Sequence, residues 1–353
     1  MTQVQDNKSV SGGIRAQAGL HHQYLLGLQL MVATREAAEV TGEWMFHLFR
    51  QQHEEKFLSG FKKLDLEGLP DAVACAQYHV LSNGMGGVTV EYMEESDRKA
   101  WVRFRYPRWM YDGAVICGAP PETSRGFLRG WYAQNGPSLG NPRLGFVCVS
   151  EDMTGQFGLC GYFREYDHVL DGSERLQFKP DERPPPYDEA KQPRPPEAGW
   201  PPERLSKANR NYAMDYIRNG LSALITVLGP ERTRELASLA ARLTGLQYYA
   251  FMAEAVGGVD GGADDAARFL IAMFAGMGDE AELASGADAG SAVIHHSGLR
   301  IVRGLEGEVC DILLACWIEL WRGAVASHRT FMEVDVEQIK NQLIWRINAL
   351  PEK

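Results

Sequence analysis

The chain has no CxxC pair, no block of lysines and arginines, and no apolar run near the roughly 20 residues that cross a bilayer. The first absence argues against a dithiol redox centre or a zinc ribbon. The second argues against a nucleic-acid partner, because phosphate binding needs clustered basic charge; a formal net charge of −10 and a pI near 5.5 point the same way. The third leaves no helix that would span a membrane, so no membrane partner is expected. Glycine runs occur in "NGMGG" and "AVGGVDGGADD", but neither matches GxGxxG or GxxxxGK[ST]. They read as turns with positive φ, and no cofactor is expected.

What is present is ordinary globular material. At 353 residues the chain exceeds the size at which one hydrophobic core stops growing, so two domains are expected. The segment "MTQVQDNKSVSGGIRAQAG" lacks a secretory pattern and reads as a short disordered leader on a cytoplasmic protein. Six cysteines, at positions 75, 117, 148, 160, 310 and 316, are too sparse for a disulfide scaffold and read as reduced thiols. The partners expected are a small-molecule substrate and, in a homodimer, a second copy of the chain.

Nine of the seventeen prolines fall in residues 179–205. Proline fixes φ and removes a backbone donor, so this stretch reads as an extended connector, with Tyr187 and Trp200 as candidates to dock it on a folded surface. It separates an N-terminal domain, 14–178, from a C-terminal one, 206–353.

In the first, helical spacing in "HHQYLLGLQLMVATREAAEV", "EWMFHLFRQQHEEKFLSGFKKL" and "LPDAVACAQYHVLS" gives way to alternation in "GGVTVEYMEESDRKAWVRFRY". The latter predicts an antiparallel hairpin turning near Asp97 with Glu91 opposite Arg103. A helix in "SRGFLRGWYAQNG", a buried strand "LGFVCVSED", and a closing pair of strands in "YFREYDHVL" and "ERLQFKP" follow. The second half repeats the order: helices, a hairpin-like "AVIHHSGLRIV", a long helix and a terminal segment. Gly-Met-Gly recurs at 84–86 and 276–278, each between a helix and the start of a sheet. The expected fold class is α+β, helices followed by a small antiparallel sheet with an inserted helix, present as two tandem degenerate copies.

Two groupings could carry chemistry. Cys148 ends an apolar strand and Asp152 follows it, where a rigid scaffold can present side chains to a cavity. Cys148 as nucleophile needs a lowered pKa, with Arg103, Arg105 or His168 as the cation; Asp152 could act as acid–base group. The competing reading is that Cys148 is a small core residue. Arg103, Arg105, Tyr106, Trp109 and Tyr132 are the candidates to bind substrate. The second grouping, His47, His53 and Glu54, is a weaker metal alternative because its spacing is not that of H-E-x-x-H. The first grouping predicts catalysis by Cys148, Asp152 and His168, with no metal.

The run "VRFRYP", then "LGFVCVSED", then "YFREYDHVLDGSERLQF" resembles the L-2-amino-thiazoline-4-carboxylic acid hydrolase-like family, itself similar to 4-vinyl-reductase-type small-molecule-binding domains. Arg105, Pro107, Cys148, Gly172 and Phe178 match its pattern, while Tyr106 and Leu176 stand where that pattern has cysteines. The resemblance implies a hydrolase that opens a C–N bond of a small cyclic amidine, amide or lactam, or a non-catalytic relative that only binds or senses a ligand. In the second half no cysteine stands in a strand followed by an acidic cluster, so a degenerate, structural copy is expected there.

Overall fold

The computed structural model describes residues 2–106, 108–154, 156–195, 202–256, 261–284 and 290–351. The chain forms two compact units: a central one, Val32–Ala208, and a terminal one that combines Met1–Met31 with Asn209–Lys353. The expected division at the connector kept residues 14–31 with the first half; the structure groups them with the second. They belong to α1 (Thr2–Arg35), which is helical from Thr2, where a disordered leader was expected. Within the terminal unit, Gly12 and Gly13 bring this helix close to the backbone of Ala255 and Gly276. Tertiary packing of this kind, more than propensity, is what makes a helix stable.

In the central unit α2 (Ala38–Lys63) and α3 (Asp71–Met85) precede β1 (Val90–Ser96) and β2 (Lys99–Phe104). A 3₁₀ turn at Trp109–Tyr111, α4 (Val115–Gly118), α5 (Glu122–Gly130) and α6 (Asn135–Ser138) are inserted before β3 (Leu144–Ser150), β4 (Cys160–Glu165) and β5 (Leu176–Phe178). The sheet order is β1-β2-β4-β3-β5. Glu91 faces Arg103 across the first hairpin, as the alternation predicts, and the charges meet at 2.6 Å. The expected closing pair is different: β4 pairs with β2 and β3, whereas β5 runs parallel to β3 on the edge.

The connector drapes over this unit. Gln192 accepts from the Tyr92 N–H at 2.9 Å and donates to its carbonyl at 2.8 Å, so it takes the place of a strand partner at the β1 edge. Glu182 reaches Lys99, which lies over the rings of Trp101 and Tyr162. Tyr187, expected as an anchor, is exposed, and Trp200 lies outside the described residues. Polar groups that satisfy an open strand edge dock the described part of this segment.

In the terminal unit α7 (Pro202–Leu228) begins inside the Pro-rich stretch, with proline in its first turn. Then come α8 (Pro230–Val256), α9 (Ala263–Met277), β6 (Glu280–Leu283), β7 (Ser291–Ser297), α10 (Gly307–Val325), β8 (Met332–Ile339) and β9 (Gln342–Ala349). The sheet order is β6-β7-β9-β8, that of β1-β2-β4-β3 with the edge strand removed. The hairpin partner of β7 is β6; "LRIV" forms a 3₁₀ turn at Arg300–Val302 and not a strand.

The two copies share packing as well as order. A Cβ on Gly126 or Gly130 would overlap the backbone oxygens of Gly42 and Phe46, so α5 lies directly on α2. Gly245 and Gly323 likewise let α8 and α10 touch backbone to backbone. Gly-Met-Gly ends α3 and α9, and Gly278 there is left-handed at φ 83°. No helix among the described residues is long and apolar enough to cross a membrane.

Candidate functional site

Asp152 opens a 3₁₀ turn at the exit of β3, just past a bulge between Cys148 and Ser150. A bulge bends its strand and re-aims the side chains beyond it. Here Asp152 ends fully buried against the segment that follows β2. Its Oδ2 accepts from Arg108 Nη1 at 2.9 Å and from the Ser124 hydroxyl, and its Oδ1 accepts from the Tyr106 hydroxyl at 2.5 Å. Because Ser124 spends its one proton on Asp152, Tyr111 donates to Ser124 Oγ, at 2.7 Å. Arg108 lies over the rings of Phe104 and Phe127, and its side chain is 3 % exposed.

Electrostatics lock this arrangement. Burial works against the charge on Arg108, yet Asp152 beside it leaves the guanidinium pKa above its ordinary value. Burial, then the Asp152 charge, push the Tyr106 and Tyr111 hydroxyls well up, so both stay protonated donors. A buried ion pair is stable only when its remaining donors and acceptors are satisfied, and both oxygens of Asp152 are.

Cys148 is elsewhere in character. It is 1 % exposed on a strand buried along its whole length, and its thiol donates to the Ser150 carbonyl at 3.4 Å. Burial, then Glu151, push the thiol pKa well up. The sulfur is a neutral core atom, and the nucleophile expectation is corrected: a thiolate needs a cation and partial exposure.

The other expected residues divide. Tyr106 does join Asp152, and Trp109 sits in the turn that carries Arg108. Arg103 is held by Glu91, with Arg105 at 3.6 Å from the same carboxylate. Strand alternation points Arg103 to the sheet face opposite Phe104, the ring on which Arg108 rests. Tyr132 is core: it stacks on His79 at 3.8 Å and contacts Phe146 edge-on. His168 is exposed near Glu174 at 3.7 Å, beyond the far end of β4. The near end of that strand pairs with Ser150, so its six residues at about 3.3 Å each put His168 more than ~15 Å from Asp152.

The metal alternative is not assembled. His47 pairs with Glu43, Glu54 with Arg50, and His53 donates to or accepts from Ser138 while stacked on Phe57. Burial, then Arg50, lower the His53 pKa to about 3. Among the described residues no three His, Cys, Asp or Glu side chains are grouped to hold a metal ion.

Arg108, Tyr111 and Ser124 are the residues that sequence reasoning missed. The available signal was "YPRWMY", an arginine enclosed by aromatics, which is how a cation packed into a core reads. A comparison with family models, curated proteins and solved structures finds no match for this chain.

Proposed function

We propose that the protein is a non-catalytic small-molecule-binding or sensor protein made of two copies of one α+β fold. The observation that carries this reading is the saturation of Asp152 by Tyr106, Arg108 and Ser124. A general base must face the water it deprotonates with a free lone pair, and a nucleophilic cysteine must be ionised. Asp152 is occupied and Cys148 is neutral, so the most reactive side chains of the central copy serve its fold. The cytoplasm is part of the proposal, supported by six free cysteines. The test is incubation with cyclic amides, amidines and lactams, read by mass spectrometry alongside thermal shift. Stabilisation without product is expected; a product heavier by about 18 Da, for one added water, overturns the reading.

A ring-opening hydrolase is the second reading, favoured by one feature. Tyr106 is 41 % exposed and covers the pair, so its departure would present the Ser124 hydroxyl and Asp152 together. Asp152 would then take a proton from water attacking the ring carbon, and the ring nitrogen would leave protonated. On that reading Ser124→Ala and Asp152→Asn lose turnover, while on the binding reading there is none to lose.

A further inference from the structure

We propose that the terminal unit binds the phosphate or carboxylate group of a small molecule in a hollow framed by Arg218, Arg300 and Arg303. The proposal rests on the binding reading above and names the charged group of its ligand.

The hollow has a volume of about 330 Å³ and is lined by Asn211, Met214, Asp215, Arg218, Arg300 and Arg303, from α7 and the turn after β7. That volume is at the small end for ligand pockets, enough for a compact metabolite. Arg218 builds the wall: it donates to Asp215 at 2.8 Å, to the Arg300 carbonyl at 2.7 Å and to the Ile301 carbonyl at 3.4 Å. The turn that carries Arg300 and Arg303 is therefore fixed before any ligand arrives. Arg300 is fixed again by its backbone N–H on Asp279 at 3.1 Å and its Nε on the Gly278 carbonyl at 2.9 Å.

This anchoring leaves donors unused. Among the described residues, neither Nη group of Arg300 and no part of the Arg303 guanidinium has a protein partner. Arg210 adds a further positive charge: its Nη1 and Arg300 Nε lie 2.8 and 3.0 Å from where a Cβ on Gly278 would sit. Burial, then the Arg300 charge, lower the Arg210 pKa. The carboxylates at this place are Asp215, held by Arg218, and Asp279, buried between His296 Nε2 at 3.1 Å and the Arg300 N–H. Four guanidinium groups thus meet two carboxylates in a chain whose net charge is −10. An oxyanion relieves that excess, and the planar fork of arginine fits carboxylate and phosphate in two parallel hydrogen bonds.

The repeat supplies the independent argument. Arg300 follows β7 as Arg108 follows β2, and Gly278 precedes Arg300 by the same number of residues as Gly86 precedes Arg108. In the central copy the anion on that arginine is the protein's own Asp152. In the terminal copy no side-chain carboxylate pairs with the Arg300 guanidinium among the described residues, and the hollow opens there instead.

The experiment is calorimetric titration of the full chain with inorganic phosphate and with succinate, at ionic strength matched with sodium chloride. Wild type is compared with Arg303→Gln, Arg300→Gln and the surface control Arg268→Gln, each checked for folding by circular dichroism. Binding of either probe, weakened at least about ten-fold by Arg303→Gln and within about two-fold of wild type in the control, is expected. A response to phosphate alone assigns phosphate, one to succinate alone assigns carboxylate, and one to both assigns a general oxyanion site. No heat from either probe, or Arg303→Gln equal to wild type, overturns the site. Turnover of a cyclic substrate would instead overturn the binding reading and leave the site intact, so the two failures are separable.

Discussion

The central and terminal units each place an arginine after the second strand of their sheet, and they treat it in opposite ways. Arg108 is buried, stacked on two phenylalanine rings and closed off by Asp152, Ser124 and Tyr106. The Arg300 side chain is held through Nε on the Gly278 carbonyl and stands beside Arg210, Arg218 and Arg303 at an open hollow. The difference teaches that a duplicated scaffold can spend one polar position on stability in one copy and leave it available in the other. The proposed oxyanion site would place function in the copy expected to be degenerate and structural.

The largest effect that would break this comparison lies at Asp152. Asp152→Ala strands the buried Arg108 charge and is expected to destabilise the central unit by about 3–5 kcal/mol in denaturant melts. The double variant Asp152→Leu with Arg108→Met is expected to recover most of that loss; if it does not, the pair matters beyond its charge balance. Gly126→Val comes next, because its side chain would collide with the Gly42 carbonyl; overpacking costs about 1–3 kcal/mol or more. Gly245→Val, against the Leu320 carbonyl, is expected to do the same to the terminal unit, and unequal melts would show that the copies do not share this packing.

These expectations mark how far the sequence was legible. In the central unit the order of helices and strands followed from the change of period, and the Glu91–Arg103 register followed from opposite charges around one polar turn. The chemistry was not legible, for two reasons. A free cysteine in a strand looks the same whether its sulfur meets water or a second layer, and here β3 is buried on both faces. All three arginines are far from Asp152 in sequence, so nothing local singled out Arg108 over Arg103 and Arg105, although alternation turns Arg103 to the wrong face. The swap of residues 1–31 into the terminal unit had no local signal, because only long-range contacts of α1, such as Tyr24 on the Ala237 carbonyl and Gly13 on Gly276, reveal it.

A smaller effect of pH acts on the terminal unit. His21 accepts from Trp317 Nε1 at 3.1 Å and donates from Nδ1 to the Gln17 carbonyl at 2.7 Å, and burial lowers its pKa to about 4. The unfolded chain takes up that proton near pH 6.5 and the folded one does not, so stability is full above pH 6.5 and falls as pH drops toward 4. Each such histidine steepens the fall by about 1.4 kcal/mol per pH unit. His21→Gln should flatten the acid limb of the stability profile, and an unchanged slope would refute the neutral, buried assignment. The smallest effect is at Cys148: alkylation under native conditions should label exposed Cys117 and spare Cys148, and Cys148→Ala should cost only about 1 kcal/mol.

The opposite treatment of Arg108 and Arg300 is tested most directly by arginine modification with phenylglyoxal, mapped by peptide mass spectrometry on the native protein. Labelling of Arg300 and Arg303 that phosphate or succinate suppresses, with Arg108 untouched, is the expected result. Labelling of Arg108 ahead of Arg300 and Arg303 would contradict it.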